Sequence, residues 1–484
     1  MSEHCGYVVC IKELRPHPNA DKLQIATFFG NDTCISLEAK IGDIGIYFPS
    51  DLQLSEEFCD YNHLCRTKAD GTPDTGYLER DKRNVKASRL RGEKSDGIYM
   101  PLKCLDYIEA DVLSFQIGDK IEVVNGHEIC CKYIPRRNHR QGGYSEGNRT
   151  RKKKVDIAPL FAEHADTEQL AYNLGAFKPG DEIEITLKMH GTSQRTGYLP
   201  VFNHCNDTIP CRVGNAMKQV MNKLLGKEVY VETHDGKPVY EWGYVSGTRR
   251  TVLEDYDGGY YGSNEFREQH SKTFEGKLWK GETVYYEVVG FTHTGAPIMA
   301  EGNNEKLGKD FVKQYGKTTT FSYGCEPEGS TLWQPDGEGD YDLVGRIKQS
   351  DIYVYRMTMT NEDGAVVEYT PDFMRYRCEQ MGVKTVPVLW KGYIEDKIQY
   401  IPSDDDEFIE FNAGEWVKKM AERYYDGPDP IGKTHIREGV VVRILNRPKF
   451  CAYKHKNFSF KVIENIIKDV ATEPDMEEEQ EVIE

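Results

Sequence analysis

The stretch "EITLKMHGTS" (residues 184–193) ends an apolar, strand-like run on a cation and follows it with a glycine and two hydroxyls. Lys188 is the group there that could form a covalent bond, by attack of its amine on phosphorus. Free lysine titrates near ~10.4, so less than about a thousandth is neutral at pH 7. Neighbouring cations, a bound metal complex and burial all disfavour the ammonium form. A nucleophilic lysine therefore needs further charged residues close to it. Without them K-x-H-G is a surface strand turning at Gly191.

The chain supplies such residues in a regular order. "YVSGTRRTVL" places Arg249 and Arg250 at a turn. "VYYEVVGF" puts Glu287 in the middle of an apolar strand, and "DIYVYRMT" sets Tyr353 and Tyr355 two apart, on one face. "REGVVVRI" begins a strand at Glu438 and Gly439, and "CAYKHKNFSFKV" places Lys454 and Lys456 on one face of another. Each has a plain reading alone, as an edge glutamate, sheet packing or a solvated strand face. The ordered series Lys, Arg, Glu, aromatic, Glu-Gly, Lys-x-Lys is much less easily accidental.

The elements that must position these residues differ along the chain. Up to residue 135, short apolar runs ("YVVCIKEL", "LQIATFF", "IGIYF", "GIYMPL", "KIEVV") alternate with turn residues, predicting a small β-barrel or sandwich. Residues 136–154 are dense in Arg, Lys and Gly and read as a basic linker able to grip phosphates. From 155 to 470, strands rich in Val, Tyr and Ile mix with helices at "NAMKQVMNKLLG" and "EWVKKMAERYY", predicting an α+β domain on antiparallel sheet. Residues 471–484 form an acidic tail, read as disordered. "GPDPIGKT" (427–434) matches a phosphate-loop pattern letter for letter. It lies between a helix and a strand, the reverse of that loop's context, and two prolines remove donors, so it is a connecting loop.

Composition narrows the class. A 29% charged, 38% hydrophobic chain of 484 residues can bury two or three cores and has no apolar run of membrane-spanning length. Its start shows no signal-peptide pattern. The 13 cysteines are odd in number and scattered without a C-x-x-C pair, so they read as mostly buried small residues in a reducing, cytoplasmic setting. The net charge of −17 argues against a general nucleic-acid coat.

The motif series resembles that of covalent nucleotidyltransferases, and most closely the ATP-dependent RNA ligases of the Deinococcus and Naegleria type. "LRPHPNADKLQIATFFG" and "ASRLRGEKSDGIYMPL" resemble segments of oligonucleotide-binding (OB) folds of the tRNA-binding kind, which these ligases carry ahead of the catalytic domain. "HADTEQLAYNLG" resembles the family's approach to its nucleophile. One departure is His190, where K-x-D-G or K-x-E-G is commoner; imidazole can also contact a ribose.

The resemblance implies an N-terminal OB-like barrel followed by a nucleotidyltransferase domain of ATP-grasp-like antiparallel sheet. It implies ATP and Mg²⁺ (or Mn²⁺) as cofactors, and RNA with nicked or broken duplex ends as partner of a monomeric enzyme. Lys188 would take AMP from ATP, pass it to an RNA 5′-phosphate, and a 3′-hydroxyl would seal the ends. Lys454 and Lys456 would promote attack and hold the α-phosphate. Glu287 and Glu438 would hold the metal, directly or through water. Tyr353 or Tyr355 would stack on adenine, Arg249 or Arg250 would bind phosphate, His190 the ribose, and Gly191 would admit the nucleotide closely. The alternatives are a non-catalytic RNA- or tRNA-binding protein, a DNA ligase or a capping guanylyltransferase.

Overall fold

The computed structural model describes residues 4–50, 52–65, 77–108, 110–133, 156–164, 167–226, 230, 234–249, 251–253, 256, 264–325, 349–395 and 411–470. The basic stretch 136–154, Arg250 and the acidic tail lie outside the described residues.

The N-terminal region is built from short antiparallel strands. A four-stranded sheet runs in the order Lys120–Ile121, Gly6–Cys10, Ile44–Phe48, Ile98–Pro101. A three-stranded meander (Leu14–Pro16, Leu23–Phe28, Asn31–Ser36) turns at Phe29 and Gly30, both at positive φ, as a two-residue hairpin requires. The sheet is apolar on both faces. Val8, Ile46 and Phe48 enter one core cluster, while Tyr7, Val9 and Tyr47 enter another with Phe28 and Ile35 of the meander. Each face therefore needs its own covering layer. Among the described residues the strands form separate sheets and no closed barrel, which departs from the predicted OB-like barrel.

The second region carries two larger sheets. Its strands are β1 (Glu182–Lys188), β2 (Thr192–Cys205), β3 (Pro238–Gly247), β4 (Glu282–Gly290), β5 (Ser350–Thr360), β6 (Val388–Tyr393), β7 (Gly439–Ile444) and β8 (Ala452–Lys456). Its main helices are α1 (Ile209–Leu225), α2 (Pro371–Met381), α3 (Ala413–Glu422) and α4 (Phe458–Val470). The first sheet has the order Glu168–Gln169, β8, β7, β1, β6, antiparallel except for its first pair. The second has the order β3, β2, β4, β5, Val366–Glu368, all antiparallel, with Lys384–Thr385 added parallel to β5. The α+β class and the antiparallel pairing agree with the sequence reading.

Strand alternation explains where Lys188 goes. Ile183 and Ile185 pack with Val440, Val442 and, from α3, Val417 and Ala421. Their pleat partners Glu184, Thr186 and Lys188 face the other way. Four residues after Lys188 the chain enters β2 in the second sheet, so the lysine stands at the corner between the two sheets. The "GPDPIGKT" segment is a loop after α3, with Asp429 accepting from the Ile431 and Gly432 N–H groups. It leads into β7.

The N-terminal region packs on α4, which directly follows β8. Asp96 pairs with Lys461 at 2.6 Å, Arg89 and Lys94 lie over the Phe458 ring, and Ala87 joins the core cluster of Leu187 and Phe460. Among the described residues no helix is long and apolar enough to cross a membrane.

One glycine decides the approach of β7 to β8. Gly439 has φ +155°, and a Cβ there would meet the His455 carbonyl oxygen at 2.1 Å and Lys456 Cα at 2.8 Å. Gly439→Ala is expected to destabilise the fold by roughly 1–3 kcal/mol, read as a lowered urea midpoint. An unchanged midpoint would contradict this account of the strand pair.

Candidate active site

The centre of the site is a row across three strands. The register places Lys188 opposite Gly439, and Gly439 opposite Lys456. Glu438, one residue before β7, is buried in this row, with only 2% of its side chain exposed. Its Oε1 lies 2.7 Å from Lys188 Nζ and 3.6 Å from Lys456 Nζ; its Oε2 lies 3.5 Å from His190 Nδ1. Lys456 also pairs with Glu464 of α4 at 2.7 Å. The helix that the N-terminal region supports thus fixes one of the site's cations.

Burial alone would raise the Glu438 pKa. Lys188, His190 and Lys456 override that effect and bring it down to about 2. The carboxylate is ionised throughout the neutral range and is a very weak base. Its part is electrostatic and positional. Oε2 is buried and makes no hydrogen bond in the described structure, the His190 contact being too long for one. A buried carboxylate oxygen without a donor suits a hard cation or its water, so Glu438 fits the metal role expected of it.

Lys188 is partly exposed and borders a cavity of about 110 Å³ between the two sheets. Glu287, Arg249, Tyr355, Ser193, Thr186 and Glu184 also line it. Glu287 pairs in register with Ser193 on one side and Tyr353 on the other. Lys454 is on the pleat face of Lys456 and opposite Val441, itself a wall of the cavity.

The two tyrosines separate. A β-bulge makes Tyr355 the extra residue of β5, since Tyr285 pairs with Arg356 and Tyr286 with Val354. Bulges commonly re-aim a side chain beside a site. Tyr355 reaches the cavity, with its hydroxyl 2.9 Å from Ser193 Oγ. Tyr353 is buried in the core cluster that holds Tyr323 and Phe460 and is not among the residues lining the cavity. The described residues thus leave Tyr355 as the candidate aromatic platform of the pair. Arg249 lines the cavity; Arg250 is outside the described residues.

Two expected nucleotide contacts have other surroundings. The His190 ring is held edge-on between Phe321 and Phe460, with centroids 4.5 and 4.7 Å away, and turns toward Glu438. It does not line the cavity. Gly191 is required by strand packing: a Cβ would meet the Val288 carbonyl oxygen at 2.3 Å and Val289 Cγ1 at 2.8 Å. The glycine admits β4, a close approach of backbone that the sequence reading did not include.

Sequence reasoning missed several wall residues. Glu184 and Thr186 share the face of Lys188 by simple alternation, a signal already present in "EITLK". Glu184 is buried against Arg375 at 2.8 Å. His164 and Phe450 come from irregular segments and had no periodic signal. Burial, then Arg356, Arg249 and Arg195, push the His164 pKa well below its ordinary value. Arg356 Nη1 lies 3.2 Å from His164 Nδ1, and since arginine only donates, Nδ1 accepts and the ring proton sits on Nε2. Phe450 is contacted by the guanidinium groups of Arg356 at 4.7 Å and Arg443 at 5.0 Å.

No family model matches the chain, and no curated protein matches it. Among solved structures it is similar to a Naegleria gruberi RNA ligase mutant with ATP and Mn, at 15% identity and TM-score 0.48, over 94% of this chain and 98% of that one. It is also similar to the Naegleria gruberi RNA ligase with PPi, at 15% identity and TM-score 0.49, over 94% of this chain and 97% of the other.

Because the Glu438 pKa is depressed in the fold, the stabilisation is present above its ordinary value of 4.5 and lost as pH falls toward about 2. From pH 6 to pH 3 this one group should remove about 2 kcal/mol of stability. Urea denaturation of wild type and Glu438→Gln over that range should show their difference shifting by that amount. A pH-independent difference would contradict the assigned charge environment.

Proposed function

We propose that this protein is an ATP-dependent RNA ligase that joins 3′-hydroxyl and 5′-phosphate ends through a lysyl-AMP intermediate, acting as a monomer inside the cell. The observation that carries the reading is the row Lys188, Glu438, Lys456 at the edge of a cavity that also presents Glu287, Arg249 and Tyr355. A primary amine at the end of a rigid strand, with a second cation and two carboxylates near it, is what phosphoryl attack by lysine needs. The motif resemblance supplies RNA as the polymer and ATP as the nucleotide.

In the first step the Lys188 Nζ lone pair attacks the α-phosphorus. The bond to the pyrophosphate oxygen breaks, pyrophosphate leaves, and the proton lost from Nζ passes to solvent. Glu438 is too weak a base to be that proton's final acceptor, so its work is to place the amine. The Lys188–Glu438 pair must loosen for the lone pair to reach phosphorus. Lys456 and Lys454 balance the charge on the α-phosphate, and Arg249 holds phosphate. Glu287 and Glu438 would hold Mg²⁺ or Mn²⁺, which neutralises phosphate charge when bound. Tyr355 offers adenine a ring face.

AMP then passes to the RNA 5′-phosphate, freeing Lys188. Attack by the 3′-hydroxyl forms the phosphodiester and releases AMP. The N-terminal region, supporting α4 and hence Lys456, and the basic stretch 136–154 would hold the RNA through its phosphates, with little base preference.

Intact-mass measurement after incubation with ATP and Mg²⁺ tests this reading. An AMP adduct is expected on wild type, absent in Lys188→Ala. Its formation should be slowed about 100-fold or more in Glu438→Ala and Lys456→Ala. A GMP adduct from GTP alone would indicate capping chemistry. No adduct with either nucleotide would overturn the ligase reading in favour of a binding protein. Sealing of nicked duplexes with RNA or DNA on each side then separates RNA from DNA ligation.

A further inference from the structure

β2 and β3 form a hairpin whose connection, residues 206–237, is unusually long. At its base the strands close tightly: Cys205 pairs with Pro238, and the Asn206 N–H donates to the Lys237 carbonyl at 3.0 Å. A Cβ on Gly236 would meet the Asn206 carbonyl oxygen at 2.1 Å. The connection contains α1, whose apolar side is largely in solvent; Ile209, Met217 and Leu224 are 71%, 65% and 77% exposed. Asn215 is its one buried residue. Hydrophobic packing therefore does not explain how α1 is tied to the hairpin.

The tie is polar and gathers at that base. Donor atoms of Cys205, Asp207 and His234 lie within 4.8 Å of one another, and so do those of Asp207, Cys211 and Asp235. Asp207 is common to both sets. Its Oδ1 accepts from the Asp235 and Gly236 N–H groups at 3.0 Å, while Oδ2 faces His234 Nδ1 at 2.7 Å. Asp235 has both oxygens on Thr208, at 2.9 Å from its N–H and 2.6 Å from its hydroxyl, so it orients the start of α1. Cys205, Asp207 and His234 thus form one donor set, and Cys211 meets Asp207 in the other, so that Asp207 links the two thiols. Asn215 Nδ2 approaches Cys211 Sγ at 3.9 Å, an N–H directed at sulfur of the kind that supports a metal-bound thiolate.

We propose that Cys205, Asp207, Cys211 and His234 bind a zinc-class divalent cation that ties the 206–237 connection to the hairpin. Two thiols, an imidazole and a carboxylate are a borderline-soft set, preferred by zinc over the hard cation expected near Glu438. Tetrahedral bonds of about 2.0–2.3 Å put donor atoms about 3.3–3.8 Å apart, so shifts of roughly an ångström would close the Cys205, Asp207 and His234 set, with Cys211 moving in from the neighbouring set as the fourth ligand. The cation replaces the proton shared by Asp207 and His234. Both thiols ionise and release their protons to solvent. The residues come from a strand end, a helix start and a returning loop, a spacing unlike C-x-x-C.

The proposal is independent of the ligase reading, and the test uses the full chain. After loading with Zn²⁺ and gel filtration without chelator, wild type should retain about one zinc per chain. Co²⁺ in its place should give intense tetrahedral ligand-field bands and a sulfur-to-cobalt charge-transfer band, which carboxylate sites do not produce. Both signals should vanish in the Cys205→Ser/Cys211→Ser double variant. His234→Ala should weaken zinc binding about 100-fold and Asn215→Ala about 10-fold. Folded wild type, checked by circular dichroism, that keeps no zinc or gives no thiolate band would overturn the proposal, whether or not the variants fold. Undiminished bands in the double variant would equally overturn it.

Discussion

The site depends on one buried carboxylate shared among positive neighbours. Glu438 sits between Lys188, His190 and Lys456, and its ionised form survives burial because those groups stand beside it. Removing one partner from such a cluster leaves charge uncompensated in a poorly solvated place, a far larger cost than loss of a surface ion pair. The three-strand register fixes the cluster, since Gly439 lets β7 lie close between β1 and β8. Charge and backbone packing there are two sides of one constraint.

That constraint extends outward in layers. Glu464 on α4 holds Lys456, and the N-terminal region holds α4 through Asp96, Arg89 and Lys94. On the cavity's other side, Glu368 pairs with Arg356, Arg356 approaches His164, and His164 packs edge-on against Tyr355. The walls therefore combine permanently charged guanidinium groups with a neutral imidazole. Such a surface suits phosphate and an aromatic base together.

Much of this was legible because strands repeat with period two. Lys188 at a strand end, Glu438 before Gly439, and Lys454 and Lys456 on one face all follow from alternation and turn chemistry. Glu184 and Thr186 could have been read by the same rule. The rest required three dimensions. The bulge that sends Tyr355 into the cavity leaves no mark in "YVYR", because one unpaired residue is invisible without its partner strand. His164 and Phe450 reach the site from irregular segments 286 residues apart in sequence. Gly191 was legible as a special position, but not that its neighbour would be β4. The N-terminal runs announced strands correctly, while their closure depends on which apolar face each layer covers. That information lies between strands.

The most direct measurement of the central claim is the chemistry of the bond at Lys188. After incubation with ATP and Mg²⁺, the adenylylated chain would be digested and the modified peptide mapped. AMP on Lys188 nitrogen is a phosphoramidate, so the adduct should be lost in mild acid and retained in alkali. An acid-stable adduct, or one on a peptide lacking Lys188, would contradict the account.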